Sequence, residues 1–184
     1  MIRTKDDLKA YIAADNDWYR PERLKTKLID ALTASPYRTL KKYLVLLRKS
    51  EYHLNNAPDS RRHTYLYWYY EGKKNRLGQK LGIEIYPNCF GKGLKLWHAG
   101  GIVVNPEVRA GENCSLHGSL CIGNKGTGGG VPVLGSHVDI GFGAVVVGDI
   151  EIADNTTIGA NAFVNRSIGE PGGTYVGIPA RRLD

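Results

Sequence analysis

From Leu134 onward an apolar side chain returns at every sixth residue, at Leu134, Ile140, Val146, Ile152, Ile158 and Val164, without a slip. Four places after each stands a second series of small or branched residues: Val138, Ala144, Ile150, Thr156, Ala162 and Ile168. A helix repeats its buried face every 3.6 residues or so and a strand every second residue, so neither yields this pattern. Gly135, Gly141 and Gly159 directly follow members of the first series. A tight corner there favours a residue that tolerates positive φ or close backbone approach. Six residues thus describe one flat side and one corner, and three sides close a triangular coil of eighteen residues with the first series stacked inside. The predicted fold is mainly β, a solenoid of parallel strands.

Toward the N-terminus the series continues through Ile122, Leu116 and Ala110, then resumes with a two-residue offset at Ile102, Leu96 and Phe90. This places an insertion near Asn105–Glu107. Two hexads separate Ile122 from Leu134, but the intervening KGTGGGVP is no ordinary strand, and a protruding glycine-rich loop is expected there.

The chain changes character near Gly78–Gly82. Residues 1–80 carry 18 Lys and Arg against 9 Asp and Glu, a balance of +9, while residues 81–184 carry 7 against 9, a balance of −2. Of 23 glycines 21 follow residue 80, and 11 of 17 aromatic residues precede it. We divide the chain into an α-helical segment, 1–80, and a solenoid domain, 81–184. Apolar residues recur three and four apart in the first segment, which predicts three or four short amphipathic helices. Thr4 with Asp7 forms a capping-box pattern before Leu8, Tyr11 and Ile12. Pro21 opens a second helix carrying Leu24, Leu28 and Leu32. Ser35–Pro36 starts a third through Leu40, Tyr43, Leu44 and Leu47, and a last one holds Tyr65 to Tyr70.

Several function classes are disfavoured. No apolar run approaches the length a membrane span requires, and the acidic residues of MIRTKDDLKAY stand where a secretory signal would place its apolar stretch. A cytoplasmic location is expected. Cys89, Cys114 and Cys121 are odd in number and lack CxxC spacing, so they read as small buried hydrophobes rather than a disulfide framework. The basic aromatic stretch from Arg61 through TYLYWYYEGKKNR carries no nucleic-acid module signature. It reads first as the solvated and packing faces of a helix, with peripheral contact to an anionic membrane or a lipid-linked glycan as the alternative.

The hexads, with the ending YVGIPARRL, resemble the hexapeptide-repeat acyltransferases over about residues 82–183. LWHAGGIVV, the GTGGG loop and VVVGDIEIADNTTIGANAFV are similar to the serine acetyltransferase branch. The resemblance implies a left-handed parallel β-helix, a homotrimer with active sites between subunits, and acetyl-CoA as co-substrate. It implies His98 as catalytic base, since imidazole titrates near working pH and can strip a hydroxyl of its proton while a thioester supplies the leaving group. Glu84, nearly one coil earlier, is the candidate to orient the ring, with Glu in place of the more usual Asp and one residue fewer in the spacing. Gly141, Gly143, Ala144, Gly159 and Ala160 are candidates for the pantetheine groove, and Arg181 and Arg182 for the CoA phosphates.

No metal is expected. His117 and His137 follow His98 at nearly coil spacing, but they occupy different hexad positions and no HxxxxH pair exists. His117 is instead a candidate for lining the acceptor pocket. In serine-specific members an Asp precedes the catalytic His and an Arg–His pair follows the glycine-rich loop; here those places read Trp97 and GGVPV. A zwitterion would lack both partners, and an indole suits a sugar face. The expected acceptor is therefore a sugar hydroxyl of a surface polysaccharide or its precursor. Serine is the alternative, and a non-enzymatic scaffold or binding module is the second.

Overall fold

The computed structural model describes residues 1–19, 35–126 and 128–183. The helix expected from Pro21 through Leu32 lies outside the described residues. From Ile83 onward the chain winds as a left-handed parallel β-helix with three sheets as its sides. One side stacks Ile83–Glu84, Ile102–Val104, Cys121–Gly123, Val145–Val147 and Phe163–Val164. The second stacks Arg109–Ala110, Val133–Leu134 and Glu151–Ile152. The third runs from Lys95–Leu96 through Ser115–Leu116, Asp139–Ile140 and Thr157–Ile158 to Thr174–Val176, where Arg181–Arg182 turns back antiparallel. Both hexad series point inward: Leu134, Ile140, Val146, Ile152, Ile158 and Val164 are buried, as are Val138, Ala144, Ile150, Thr156, Ala162 and Ile168. The glycine-rich segment bulges between Gly123 and Val133, so that Leu116 pairs with Ile140, twenty-four residues on.

The two-residue insertion is not at Asn105–Glu107. Val104 pairs with Ile122, a regular eighteen residues on, whereas Leu96 pairs with Leu116, twenty residues on. The extra residues therefore sit in the corner between Leu96 and Ile102, directly after His98. Gly100 and Gly101 there adopt φ of 103° and 63°, the left-handed region that only glycine enters freely. Ile102 and Val104 are both buried, and Ile102 matches Leu120 of the second series, which is why it passes for a member of the first.

The described N-terminal part holds three α-helices, α1 (Lys5–Asp17), α2 (Pro36–Asn55) and α3 (Arg61–Leu81), with a 3-10 turn at Ala57–Asp59 between the last two. The Thr4–Asp7 capping box forms in full at the start of α1. Ser35 makes no side-chain cap to α2, whose face Leu40, Tyr43, Leu44 and Leu47 is sealed. α3 is longer than Tyr65–Tyr70 and ends on Gly82, whose φ of 65° closes the helix before the first strand.

A buried ionic network joins these helices to the first coil. Arg48 of α2 bonds Asp15 of α1 at 2.7 Å and Glu51 at 2.9 Å, and also donates to the Phe90 and Gly91 carbonyls. Asp15 accepts from the Gly93 and Leu94 amides. Trp18 donates to the Gly93 carbonyl, and Tyr19 bonds both the amide and the carbonyl of Leu96. These side chains thus satisfy edge-strand groups that have no earlier coil to pair with.

Candidate active site

Strand register fixes which side chains share an edge of the prism. Leu96, Leu116, Ile140 and Ile158 pair in succession, so the next residues form one column, Trp97, His117, Gly141 and Gly159. The residues after those, His98, Gly118, Phe142 and Ala160, form the adjacent corner. The sequence-predicted histidine, the indole and three of the small residues thus fall on one edge.

His98 is exposed on the enlarged corner and makes no hydrogen bond within the described chain. Gly118 lies beside it: a Cβ there would stand 3.4 Å from both the His98 Cβ and the Phe142 ring. Glu84 is not joined to His98. Its carboxylate accepts from the Tyr86 hydroxyl at 2.8 Å, and it borders a cavity of about 520 Å³ between α3 and the first side.

The carboxylate–imidazole pair that does form is another one. His117 Nε2 lies 2.8 Å from Asp139 Oδ1, and since an ionised carboxylate only accepts, the imidazole donates. The His117 ring stacks on Trp97 with centroids 5.1 Å apart and planes 22° from parallel. The Lys95 ammonium also stands over that indole, 3.1 Å from its centroid, and lies 4.5 Å from the Trp18 ring centroid. Partial burial draws the Lys95 ammonium below its ordinary value, while Asp139 acts the other way. Trp97 is thus already engaged by an imidazole and an ammonium, unlike the open platform expected for a sugar.

The small residues of the proposed cofactor groove differ in what they can offer. Gly141 and Gly159 are required by the coils themselves, since a Cβ would come 2.7 Å from the Ala160 nitrogen in the first case and from the Val176 side chain in the second. Gly143 holds φ of 76° against Asn161. Ala160 is exposed, whereas Ala144 is sealed inside the prism with its amide and carbonyl both bonded to other coils or turns. Ala144 thus shapes the interior and has no surface for a ligand. Arg182 pairs with Glu170, which leaves Arg181 the more available cation. Cys89, Cys114 and Cys121 are free thiols, and burial pushes the first two up to about 11. His137 sits at a turn with φ of 58°, apart from the other two histidines, and among the described residues no group of three His, Cys, Asp or Glu gathers to hold a metal.

Sequence reasoning missed Lys95 and Asp139. Lys95 meets Trp18 of the helical segment, far off in sequence, and Asp139 is 22 residues from His117 across a loop whose length the hexads alone do not report.

The parallel repeat solenoid is the frame of hexapeptide-repeat acyltransferases, and here it carries an exposed histidine on an enlarged corner. No family model matches the sequence. The chain is similar to serine acetyltransferases: 35% identical over 103 residues to that of Synechococcus elongatus, covering 54% of this chain and 42% of that one. With that of Helicobacter pylori strain J99 it shares 35% over 105 residues, 55% of this chain and 61% of the other. It spans about half the length of the curated relatives it matches. In fold it is similar to soybean serine acetyltransferase complexed with serine, with a TM-score of 0.73 at 25% identity over 97% of this chain and 70% of that one. The Brucella abortus serine acetyltransferase in complex with coenzyme A gives 0.70 at 25% identity, over 97% and 66%. Among the described residues no helix is long and apolar enough to cross a membrane.

Proposed function

We propose that this protein is an acetyl-CoA-dependent O-acetyltransferase acting on L-serine, with His98 as general base. The observation that carries the reading is the position of His98, exposed on a corner enlarged by two residues with Gly118 beside it on the next coil, which leaves the imidazole open to two substrates. Likeness to serine acetyltransferases in sequence and fold, one of them holding serine and another coenzyme A, supports both substrates. The engagement of Trp97 by His117 and Lys95 weakens the reason for preferring a sugar.

In this reading the imidazole of His98 takes the proton of the acceptor hydroxyl as its oxygen attacks the thioester carbonyl. The imidazolium then returns that proton to the departing thiolate, so base and acid are one group and no acyl-enzyme forms. Gly141, Gly159 and Ala160 are the small residues that would border a pantetheine arm, and the exposed Arg181 is the cation proposed for a phosphate. The exposed apolar side chains Val103 and Phe142 flank this corner and suit burial against another subunit, in keeping with a trimer whose sites lie between protomers.

The experiment is thiol release from acetyl-CoA, followed with L-serine and in parallel with nucleotide sugars and glycans. Turnover with L-serine is expected. Turnover of a sugar without serine would overturn the acceptor assignment, and release with no acceptor would overturn the transferase reading.

A further inference from the structure

We infer that the outward face of α3 docks on an anionic lipid bilayer, with Tyr65, Trp68 and Tyr69 seated at its polar boundary and the cations of the same face on its headgroups. The inference does not depend on which acceptor His98 serves. The rings of this stretch do not pack within the described chain. Tyr65 is 71% exposed, Trp68 66% and Tyr69 52%, and their spacing of three and four residues sets them side by side on one turn. Gly72 follows one turn on, with open space where a Cβ would be.

The cations share that face. At about 100° per residue, every exposed residue of α3 from Arg61 to Lys80 falls within one arc of about 160°. The arc carries Arg61, Arg62, Lys73, Arg76 and Lys80 and no acid. None of Arg61, Arg62, Arg76 and Lys80 forms an ion pair among the described residues, and Lys73 stands 4.3 Å from the Tyr69 ring centroid. The single acid of the helix, Glu71, lies outside the arc, buried against Lys74. Along the chain, exposed acids next appear beyond the helix ends, at Asp59 and Glu84.

This composition decides the occupant. A second copy packed through the same face would set cations against cations with no acid of α3 to offset them. Single-stranded nucleic acid is held in a charged groove that tracks its backbone, whereas the outward face of a helix is convex. A flat anionic bilayer meets both features at once. Tyr and Trp place an apolar ring toward the acyl chains and a polar tip among the headgroups, and Lys and Arg gain from the negative surface potential.

The test is co-sedimentation of the full chain with phosphatidylcholine vesicles and with vesicles in which about a third of the lipid is phosphatidylserine, at about 0.1 M and about 0.5 M NaCl. Binding to the anionic vesicles is expected to be at least about tenfold tighter than to the neutral ones, and to weaken by about tenfold at the higher salt. Trp68→Ser, and Arg62→Gln combined with Arg76→Gln, should each weaken it by about tenfold at unchanged melting temperature, since these side chains are exposed. Failure to bind anionic vesicles, equal binding to neutral ones, or binding that both variants retain in full would overturn the assignment. Tighter binding to a single-stranded oligonucleotide than to anionic vesicles would give the face to nucleic acid instead. A drop in sedimenting mass on Trp68→Ser in the absence of lipid would give it to a second copy.

Discussion

Arg48 holds Asp15 through a contact of 2.7 Å although 33 residues separate them, and neither side chain is open to solvent. The guanidinium also meets Glu51 and two carbonyls of the first coil, so a single cation ties α1, α2 and the solenoid together. Burial drives the Glu51 carboxyl upward, against the pull of Arg48. Removing the cation leaves two buried carboxylates without their partner. Arg48→Met is expected to destabilise the protein by about 3–5 kcal/mol, read from denaturant midpoints. A loss below about 1 kcal/mol would show that the network is dispensable.

Gly118 occupies the corner one coil beyond His98, with φ of 116°. Any side chain there strains the backbone, at a point where its Cβ would touch both the His98 Cβ and the Phe142 ring at van der Waals distance. Gly118→Ala is expected to cost about 1–3 kcal/mol and to lower turnover through displacement of the imidazole. Thermal unfolding and thiol release on the same preparation check both effects; full activity at unchanged stability would contradict the corner geometry.

A pH effect follows from the pair His53 and His63, whose Nδ1 atoms stand 3.0 Å apart between α2 and α3. Burial first, then His63, Arg62 and Lys49, hold the His53 imidazole below its ordinary value. Its folded value is thus lower than the value of about 6.5 in an unfolded chain, and the unfolded state takes the proton first as pH falls. The contribution to stability is present above about pH 6.5 and is lost as pH drops through the folded value. The melting temperature should fall between pH 7.5 and 5.5, and His53→Gln should flatten that fall. An equal fall in the variant would assign the effect to other groups.

The solenoid was legible because its interior is written directly as apolar periodicity: Leu134 to Val164 and Val138 to Ile168 report burial one residue at a time. The corner insertion was misplaced because Ile102 and Val104 are both apolar and both buried, and composition does not say which one continues the first series. Hydrogen-bonded register decides it in favour of Val104. The His117–Asp139 pair was hidden by the glycine-rich loop, whose length alters the coil spacing, so the residues stacked above His117 could not be counted from hexads. Arg48 gave no signal at all. A cation next to Leu47 on an amphipathic helix reads as solvated until its partners on α1 and the first coil are brought to it.

His98 carries the account, and its replacement tests it most directly. Initial rates of thiol release from acetyl-CoA with saturating L-serine should fall by about 10²–10⁴-fold in His98→Ala, the usual contribution of a general base, while the melting temperature is unchanged. A variant that folds and turns over at the rate of the unaltered chain would contradict it.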